Sequence, residues 1–395
     1  MVGSGIEEFS VRHWGREPLL RRTGGEFGDL LDLGGVDEIL SRRGLRTPFL
    51  RMARDGSVVD SRSFTGGGGV GAEIGDQVRD DRVAALFADG STIVLQALHR
   101  TWPAIIDFTT RLTGELGHPA QANAYITPPS SQGFSAHYDV HDVFVLQLAG
   151  RKRWKVHAPV HPSPLRDQPW DEHAGAVAAR VRDDAPVIDD VLEPGDVMYL
   201  PRGWLHSATA LGDVSAHLTV GIHVITTFAL VEALTALAGS DERLRASLPL
   251  GIDVADPEQL EGHLKSVRED LIDALRAVPG EDVARHVRGR AWQGNRPEPL
   301  APVAAAQFAL NLGDGDSVRR RDGLRFRVED AADGQVALEL PDRRLSLPAS
   351  TSTALAAVLD GRIWRVGEIP GLDRTDQLVL VRRLLREGVL TAAIA

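Results

Sequence analysis

The chain has 395 residues, 25% of them charged and 43% hydrophobic, with a formal net charge of −11. These proportions fit a globular protein of two or three domains and exclude a disordered, collagen-like or membrane chain; the acid excess also argues against nucleic acid held by the overall field. There is no cysteine, which removes disulfides, zinc-thiolate sites, iron–sulfur clusters and thiol catalysis together and leaves imidazole, carboxylate or water to hold any metal.

In chain order, Met1 to Glu8 lack a basic segment followed by an apolar core, so no secretory signal is expected and the reading is cytoplasmic. Residues 1–60 mix short helical and extended patterns. Gly66 to Gly69 form a four-glycine run with no Gly-Lys-Ser/Thr after it, which reads as a loop rather than a phosphate cradle. Residues 83–117 read as helix, strand, helix, with Leu86, Ile93 to Leu98 and Trp102 to Leu116 supplying the apolar pattern. From about 121 to 226 the texture is mostly β: Ala122 to Thr127, Val143 to Leu148, Arg153 to His157, Val197 to Pro201 and Ala216 to Val224 are strand candidates, with Gly150 marking a turn. The Pro- and Asp-rich stretch 161–186, Ala-rich at its centre, reads as an inserted excursion. Short strands with turn signals suggest an antiparallel barrel or sandwich.

After 227 the pattern is helical. Leu260, Leu264, Val267, Leu271 and Leu275 share one face at spacings of three and four, as core or as a partner interface. Residues 288–302 read as a linker. The last part mixes short strands and helices, with Val381, Leu384 and Leu385 on one stripe, Gly388 as a helix stop and Val389-Leu390 as a strand. No apolar run in the chain approaches the ~18 residues of a membrane span.

The chemically informative stretch is 122–159, which contains His137-Tyr138-Asp139. In an extended chain, residues two apart share a face, so His137 and Asp139 can offer a nitrogen and an oxygen to one ion. A lone H-x-D recurs by chance, and a two-His, one-carboxylate triad needs a third ligand. His141 continues the alternation, but three ligands along one strand spread over ~13 Å. His206 is favoured instead: Pro201 and Gly203 make a tight turn at a strand end, which would place it at the mouth of a barrel. Such a mixed nitrogen and oxygen set suits Fe(II).

The stretch closely resembles the JmjC-type, cupin-like ribosomal oxygenases. The resemblance rests on N-A-Y-I-T-P-P at 123–129, S-Q-G-F at 131–134 before the H-Y-D, F-V-L-Q-L-x-G-x-K-x-W at 144–154, and E-P-G-D-V-M-Y-L-P-R-G-W-L-H at 193–206. Four ordered motifs are far more specific than H-x-D alone. The resemblance implies an α+β chain with a double-stranded β-helix (cupin/JmjC jelly-roll) core at 1–227, a helical dimerisation region and linker at 228–300, and a winged-helix-like domain at 301–395. It implies a dioxygenase using Fe(II), 2-oxoglutarate and O2 to hydroxylate a protein side chain, with His or Arg of a ribosomal protein as substrate and a homodimer as the assembly.

Carried over by position, the iron ligands are His137, Asp139 and His206, and Lys152 holds the distal carboxylate of 2-oxoglutarate. Lys152, one of three lysines in the chain, lies on the face of Trp154 and Val156 and opposite Arg151 and Arg153; a lysine directed into a barrel is costly unless it meets an anion. The alternative is a solvated Arg-Lys-Arg hairpin tip. Asn123 and Tyr125 match site-lining positions, with ordinary strand polarity as the alternative. Ser215 and His217, on a later strand, could approach the cosubstrate.

Two other functions compete: a non-catalytic metal-binding cupin, which would need no anion partner, and a DNA-binding regulator acting through the winged helix. From Ala301 to Ala395 there are 13 Arg/Lys and 13 Asp/Glu, which cancel and favour a structural or protein-contact role over nucleic acid.

Overall fold

The computed structural model describes residues 5–54, 56–294, 296–331 and 334–393. The chain forms two compact units, one ending at Val224 and the other starting at Ile225. Among the described residues no helix is long and apolar enough to cross a membrane.

The first unit is built on a nine-stranded antiparallel sheet. Its strands are β1 (Leu19–Arg21), β2 (Leu50–Arg54), β3 (Ser57–Val58), β6 (Thr92–Leu95), β7 (Ala120–Thr127), β8 (Asp142–His157), β9 (Ile188–Leu192), β10 (Val197–Leu200) and β11 (Leu205–Ile222). The order is β1-β10-β8-β11-β7-β6-β2-β3, with β9 pairing the second half of β8. A separate two-stranded ribbon joins β4 (Thr65–Gly66) to β5 (Gln77–Val78), so the glycine run begins at a strand end and continues as loop. Helices α1 (Leu33–Arg42), α2 (Asp80–Ala88) and α3 (Pro103–Leu116) precede β7, and α4 (Ala174–Asp183) lies in the 161–186 excursion. Helix α3 starts with proline at its first turn and stops at Gly117, whose φ of 72° gives the left-handed cap that glycine tolerates.

Alternation of side chains sorts the sheet into two faces. Ala122, Ala124 and Ile126 of β7, Phe144 and Leu146 of β8, and Leu218 and Val220 of β11 join a large outer core with Ile105 and Leu112 of α3. Val143, Val145, Trp154 and Val156 of β8 with Met198 and Leu200 of β10 form a second, inner core.

The inward residues of β8 are odd-numbered before Gly150 and even-numbered after it. Gly150 is not a hairpin turn: β8 runs unbroken through it, paired along its length with β11. It has φ of 60° and stands alone opposite residues 212–215 of β11, in a bulged stretch where the register shifts between Leu211 and Ala216. A Cβ there would meet the Val214 carbonyl oxygen at 2.2 Å, so only glycine fits. Pattern reading takes positive-φ glycine as a chain reversal, whereas a bulge uses the same conformation to swap the two faces. The strand in 205–215 escapes the pattern for the same reason, since its own irregularity at Gly212-Asp213 looks like a turn.

In the second unit, α5 (Thr227–Ala238) packs against α6 (Pro257–Ala277) and α7 (Gly280–Gln293). Helix α7 runs well into the stretch read as a linker; Arg288 of this helix bonds Glu339, with the guanidinium 5.4 Å from the Trp292 ring. Beyond it lie α8 (Pro302–Leu310), α9 (Ser352–Val358) and α10 (Arg374–Arg386). Two three-stranded antiparallel sheets accompany them. One has the order β16-β12-β17 and is made of β12 (Ser317–Arg320), β16 (Trp364–Arg365) and β17 (Leu390–Ala392); the other joins β13 (Arg327–Ala331), β14 (Gln335–Glu339) and β15 (Arg344–Pro348) in sequence. Val381, Leu384 and Leu385 are buried in one core with Val318, Leu338 and Leu355.

Candidate metal centre

The inner face of the sheet encloses a cavity of about 300 Å³. At its rim, His137, Asp139 and His206 offer one ligand atom each, all within 4.8 Å of one another. His137 and Asp139 precede β8, and His206 is the second residue of β11. Tyr138, between the first two, points the other way into a small core with Val177 of α4 and Leu205. The two ligand segments are tied by backbone bonds: His206 N–H donates to the His137 carbonyl at 2.8 Å, His137 N–H to the His206 carbonyl at 3.3 Å, and Gly203 N–H to the Asp139 carbonyl at 3.0 Å.

Both histidines are oriented alike. His137 Nδ1 lies 2.7 Å from the Ser135 carbonyl and His206 Nδ1 lies 3.1 Å from the Trp204 carbonyl. A carbonyl only accepts, so each Nδ1 carries the proton and each Nε2 keeps its lone pair for an ion. Burial, then the neighbouring His137, lowers the His206 pKa to about 4 and keeps it a neutral ligand. Burial works to raise the Asp139 carboxyl, but His141, His206 and His137 outweigh it and hold it below its ordinary value. Two neutral imidazoles and one carboxylate fit a divalent first-row metal.

Lys152 lines the same cavity and is 3% exposed. Its Nζ donates to Thr127 Oγ1 at 3.0 Å and lies 3.5 Å from His217 Nδ1. Burial lowers its pKa to about 7. Tyr125 also lines the cavity, stacked on His217 with centroids 5.0 Å apart; burial, with the Asp139 charge second, raises its phenol to about 12. His217 is pushed well below its usual value by burial and by Lys152.

Two residues expected at the cosubstrate are not among those lining the cavity. Asn123 is not among the lining residues: its Oδ1 accepts from the N–H of Ala97, whose φ is 54°. Ser215 is fully buried in the irregular part of β11, where its hydroxyl accepts from Gln147 Nε2 at 2.9 Å. His141 is not in the ligand cluster; it stacks on His223 with centroids 5.2 Å apart. Sequence reading missed Thr127, Thr92, Arg51 and Trp170, all of which line the cavity. Thr127 shares the β7 face of Tyr125 two residues on, so parity alone would have found it. Arg51 and Trp170 come from distant segments without a motif.

The JmjC domain family matches residues 104–230, a span that holds every one of the candidate ligands and Lys152. The bifunctional lysine-specific demethylase and histidyl-hydroxylase NO66 of Aedes aegypti is 29% identical over 294 residues, covering 68% of this chain and 44% of the relative. Ribosomal oxygenase 1 of Gallus gallus is 29% identical over 300 residues, covering 71% and 45%. Over these spans the chain is similar to the JmjC ribosomal oxygenases. It spans less than half the length of these curated relatives. The ribosomal oxygenase YcfD of Escherichia coli, solved in complex with cobalt and 2-oxoglutarate, superposes with a TM-score of 0.54 at 18% identity over 99% of both chains, which establishes the JmjC/cupin-type fold.

Proposed function

We propose that this chain is a JmjC-type ribosomal oxygenase, an Fe(II)- and 2-oxoglutarate-dependent enzyme that hydroxylates a protein side chain, with His or Arg of a ribosomal protein as the substrate class. The observation that carries the reading is a buried ammonium with no acid to meet it. Among the described residues Asp139 is the one acidic side chain lining the cavity, and Lys152 Nζ meets a hydroxyl and an imidazole there. A buried cation in that setting is costly until an anion arrives. An anion at one end of a cavity and a two-His, one-carboxylate set at its rim together suit a metal-chelating dicarboxylate.

In this reading His137, Asp139 and His206 hold the metal through Nε2, a carboxylate oxygen and Nε2. Lys152 grips the far carboxylate of 2-oxoglutarate, and Thr127 aims its ammonium. Tyr125 and His217 form a stacked wall beside them. Bound Fe(II) and 2-oxoglutarate supply the oxidation, coupling decarboxylation to succinate with transfer of one oxygen atom from O2 to a C–H bond. The chain's contribution is to fix ligand orientation, exclude water and place the target C–H bond; none of these needs a general base. Phe134 and Trp170, with ring centroids 6.0 and 6.3 Å from that of His137, stand where an incoming side chain would pass.

The wider assignments belong to the same reading. The catalytic domain is 1–227, the dimerisation region and linker 228–300, and the winged-helix-like domain 301–395. The exposed Phe228, Leu230 and Val231 of α5 and Val267 of α6 supply apolar surface for a homodimer. The small sheets and three helices of 301–395 suit a winged helix in a protein-contact role, and the protein works in the cytoplasm.

The test is oxygen-dependent succinate formation by the purified chain, joined to mass spectrometry of ribosomal proteins from cells with and without its gene. Gain of one oxygen atom at a defined residue, lost in His137→Ala, is expected. Metal binding with no turnover on any ribosomal protein would leave a non-catalytic metal-binding cupin.

A further inference from the structure

Three residues beyond Asp139, the first residue of β8 is Asp142, whose side chain is fully buried. Its carboxylate has two jobs. Oδ1 accepts the backbone N–H of Arg202 at 3.0 Å, with the Arg202 guanidinium 3.6 Å away. Oδ2 accepts the hydroxyl of Tyr199, and that hydroxyl in turn accepts the N–H of Gly15 at 2.8 Å. Arg202 lies in the turn between β10 and β11, four residues before His206.

The Arg202 contact completes a ladder. Counting outward from the ligands, His206 is bonded to His137 in both directions, Gly203 N–H to the Asp139 carbonyl, and Arg202 N–H to the Asp142 carboxylate. Successive rungs join 137–142 to 202–206, and these two short segments carry all three ligand side chains. The turn depends on Gly203, whose φ is 89° and whose Cβ would sit 2.7 Å from the His161 carbonyl oxygen. Pro201 has no N–H to give, so Asp142 is the last post of the ladder and bonds the turn at its far end. Beyond Pro201 the pairing of β10 with β8 takes over at Leu200 and Val143, so Asp142 is the side chain that bonds the turn between that pairing and the Gly203 rung.

We propose that Asp142 is a positioning residue of the metal centre, with Tyr199 holding its carboxylate toward the turn so that His206 stays in register with His137 and Asp139. The proposal rests on reading those three residues as metal ligands. Polar partners that orient ligands typically alter metal affinity by about 10–100-fold when removed. A group that only stabilised the fold would act differently: it would change the unfolding transition and leave the affinity of the folded molecules unchanged.

The experiment titrates Mn(II) into the metal-free full chain by electron paramagnetic resonance, for wild type, Asp142→Asn and Tyr199→Phe. It is run where circular dichroism shows each protein folded, and the unfolding midpoint of each metal-free protein is measured alongside. The dissociation constant is expected to rise about tenfold in Asp142→Asn, and less, in the same direction, in Tyr199→Phe, which keeps the ring in the core. Lower midpoints with wild-type Mn(II) affinity in both variants would overturn the proposal and leave a structural role only. Should Asp142→Asn fail to fold, Tyr199→Phe decides alone by the same criterion. His137→Ala is the control for the underlying reading: if it binds Mn(II) as wild type does, the ligand assignment falls, and the positioning role with it.

Discussion

At the rim of the cavity, His137, Asp139 and His206 are brought together by short segments bonded across a turn. At the other end, Lys152 is aimed by the parity of a long strand, set by one glycine eight residues from the strand's start. The rim is held by several local bonds, so losing a neighbour there loosens the ligands by degrees. The lysine is held by register, so a change at Gly150 acts on all of Lys152, Trp154 and Val156 together. The comparison separates changes that remove a functional atom from changes that re-aim a strand.

The largest effect belongs to the rim. Removing a ligand leaves two donors where three are needed, so His137→Ala or Asp139→Ala should weaken Mn(II) binding by more than ~100-fold, beyond what loss of an orienting partner costs. Succinate formation should fall to background. Calorimetric titration of Mn(II) checks the first effect, and retention of near-wild-type affinity would break the comparison at its stronger end.

Lys152→Met tests the opposite end with a side chain of similar length. A charge-assisted hydrogen bond contributes about 1.5–3 kcal/mol, so 2-oxoglutarate affinity should fall by roughly 10–150-fold with Mn(II) affinity kept. The variant should also be more stable at pH 6, because it no longer buries an ammonium without an acid. The pH dependence follows from the depressed pKa of about 7. Below pH 7 the lysine is charged whether folded or unfolded, and the burial penalty is present in full. Between pH 7 and its unfolded value the unfolded chain binds the extra proton, so wild-type stability rises with pH and the advantage of Lys152→Met shrinks. Affinity for 2-oxoglutarate should fall above pH 7 by up to about tenfold per unit in wild type, and not in the variant. Urea unfolding and ligand titration at pH 6, 7 and 9 measure both trends.

Gly150→Ala should show the register effect without touching a functional atom. The new Cβ would collide with the Val214 carbonyl oxygen, and alanine at φ of 60° is strained, which together cost about 1–3 kcal/mol. Weakened 2-oxoglutarate binding with intact Mn(II) binding is the signature. Equal loss of both would mean that the two ends are not separable.

How much of this was legible in the sequence follows the same division. The rim was readable because H-x-D and the P-R-G-W-L-H turn are contiguous: local alternation and a Pro/Gly turn fix where His137, Asp139 and His206 point. The inward face of Lys152 was also readable, from its alternation with Arg151 and Arg153. The continuity of β8 was not, because a glycine in the left-handed region looks the same in a hairpin and in a bulge until the partner strand is known. Asn123 and Ser215 show the other limit. Both lie on the expected strands, Asn123 at a position matched to the family, but alternation says which face a residue takes and not how far along that face the cavity extends. Asp142 had no signal at all, since its partners lie 57 and 60 positions away.

Ser215→Ala gives the smallest and most discriminating result. The hydroxyl accepts one bond from Gln147 Nε2, which also donates to the carbonyls of Ala149 and Gly150. Losing the serine therefore leaves that amide with acceptors, and the cost should be no more than about 1 kcal/mol. Ser215 sits beside the bulge but not on the cavity wall, so 2-oxoglutarate and Mn(II) affinities should both stay at wild-type values while urea stability dips. If 2-oxoglutarate affinity falls more than a few-fold at unchanged stability, Ser215 touches the ligand after all. The cavity would then extend past Lys152 into the irregular segment of β11, and register could no longer be separated from contact at that end.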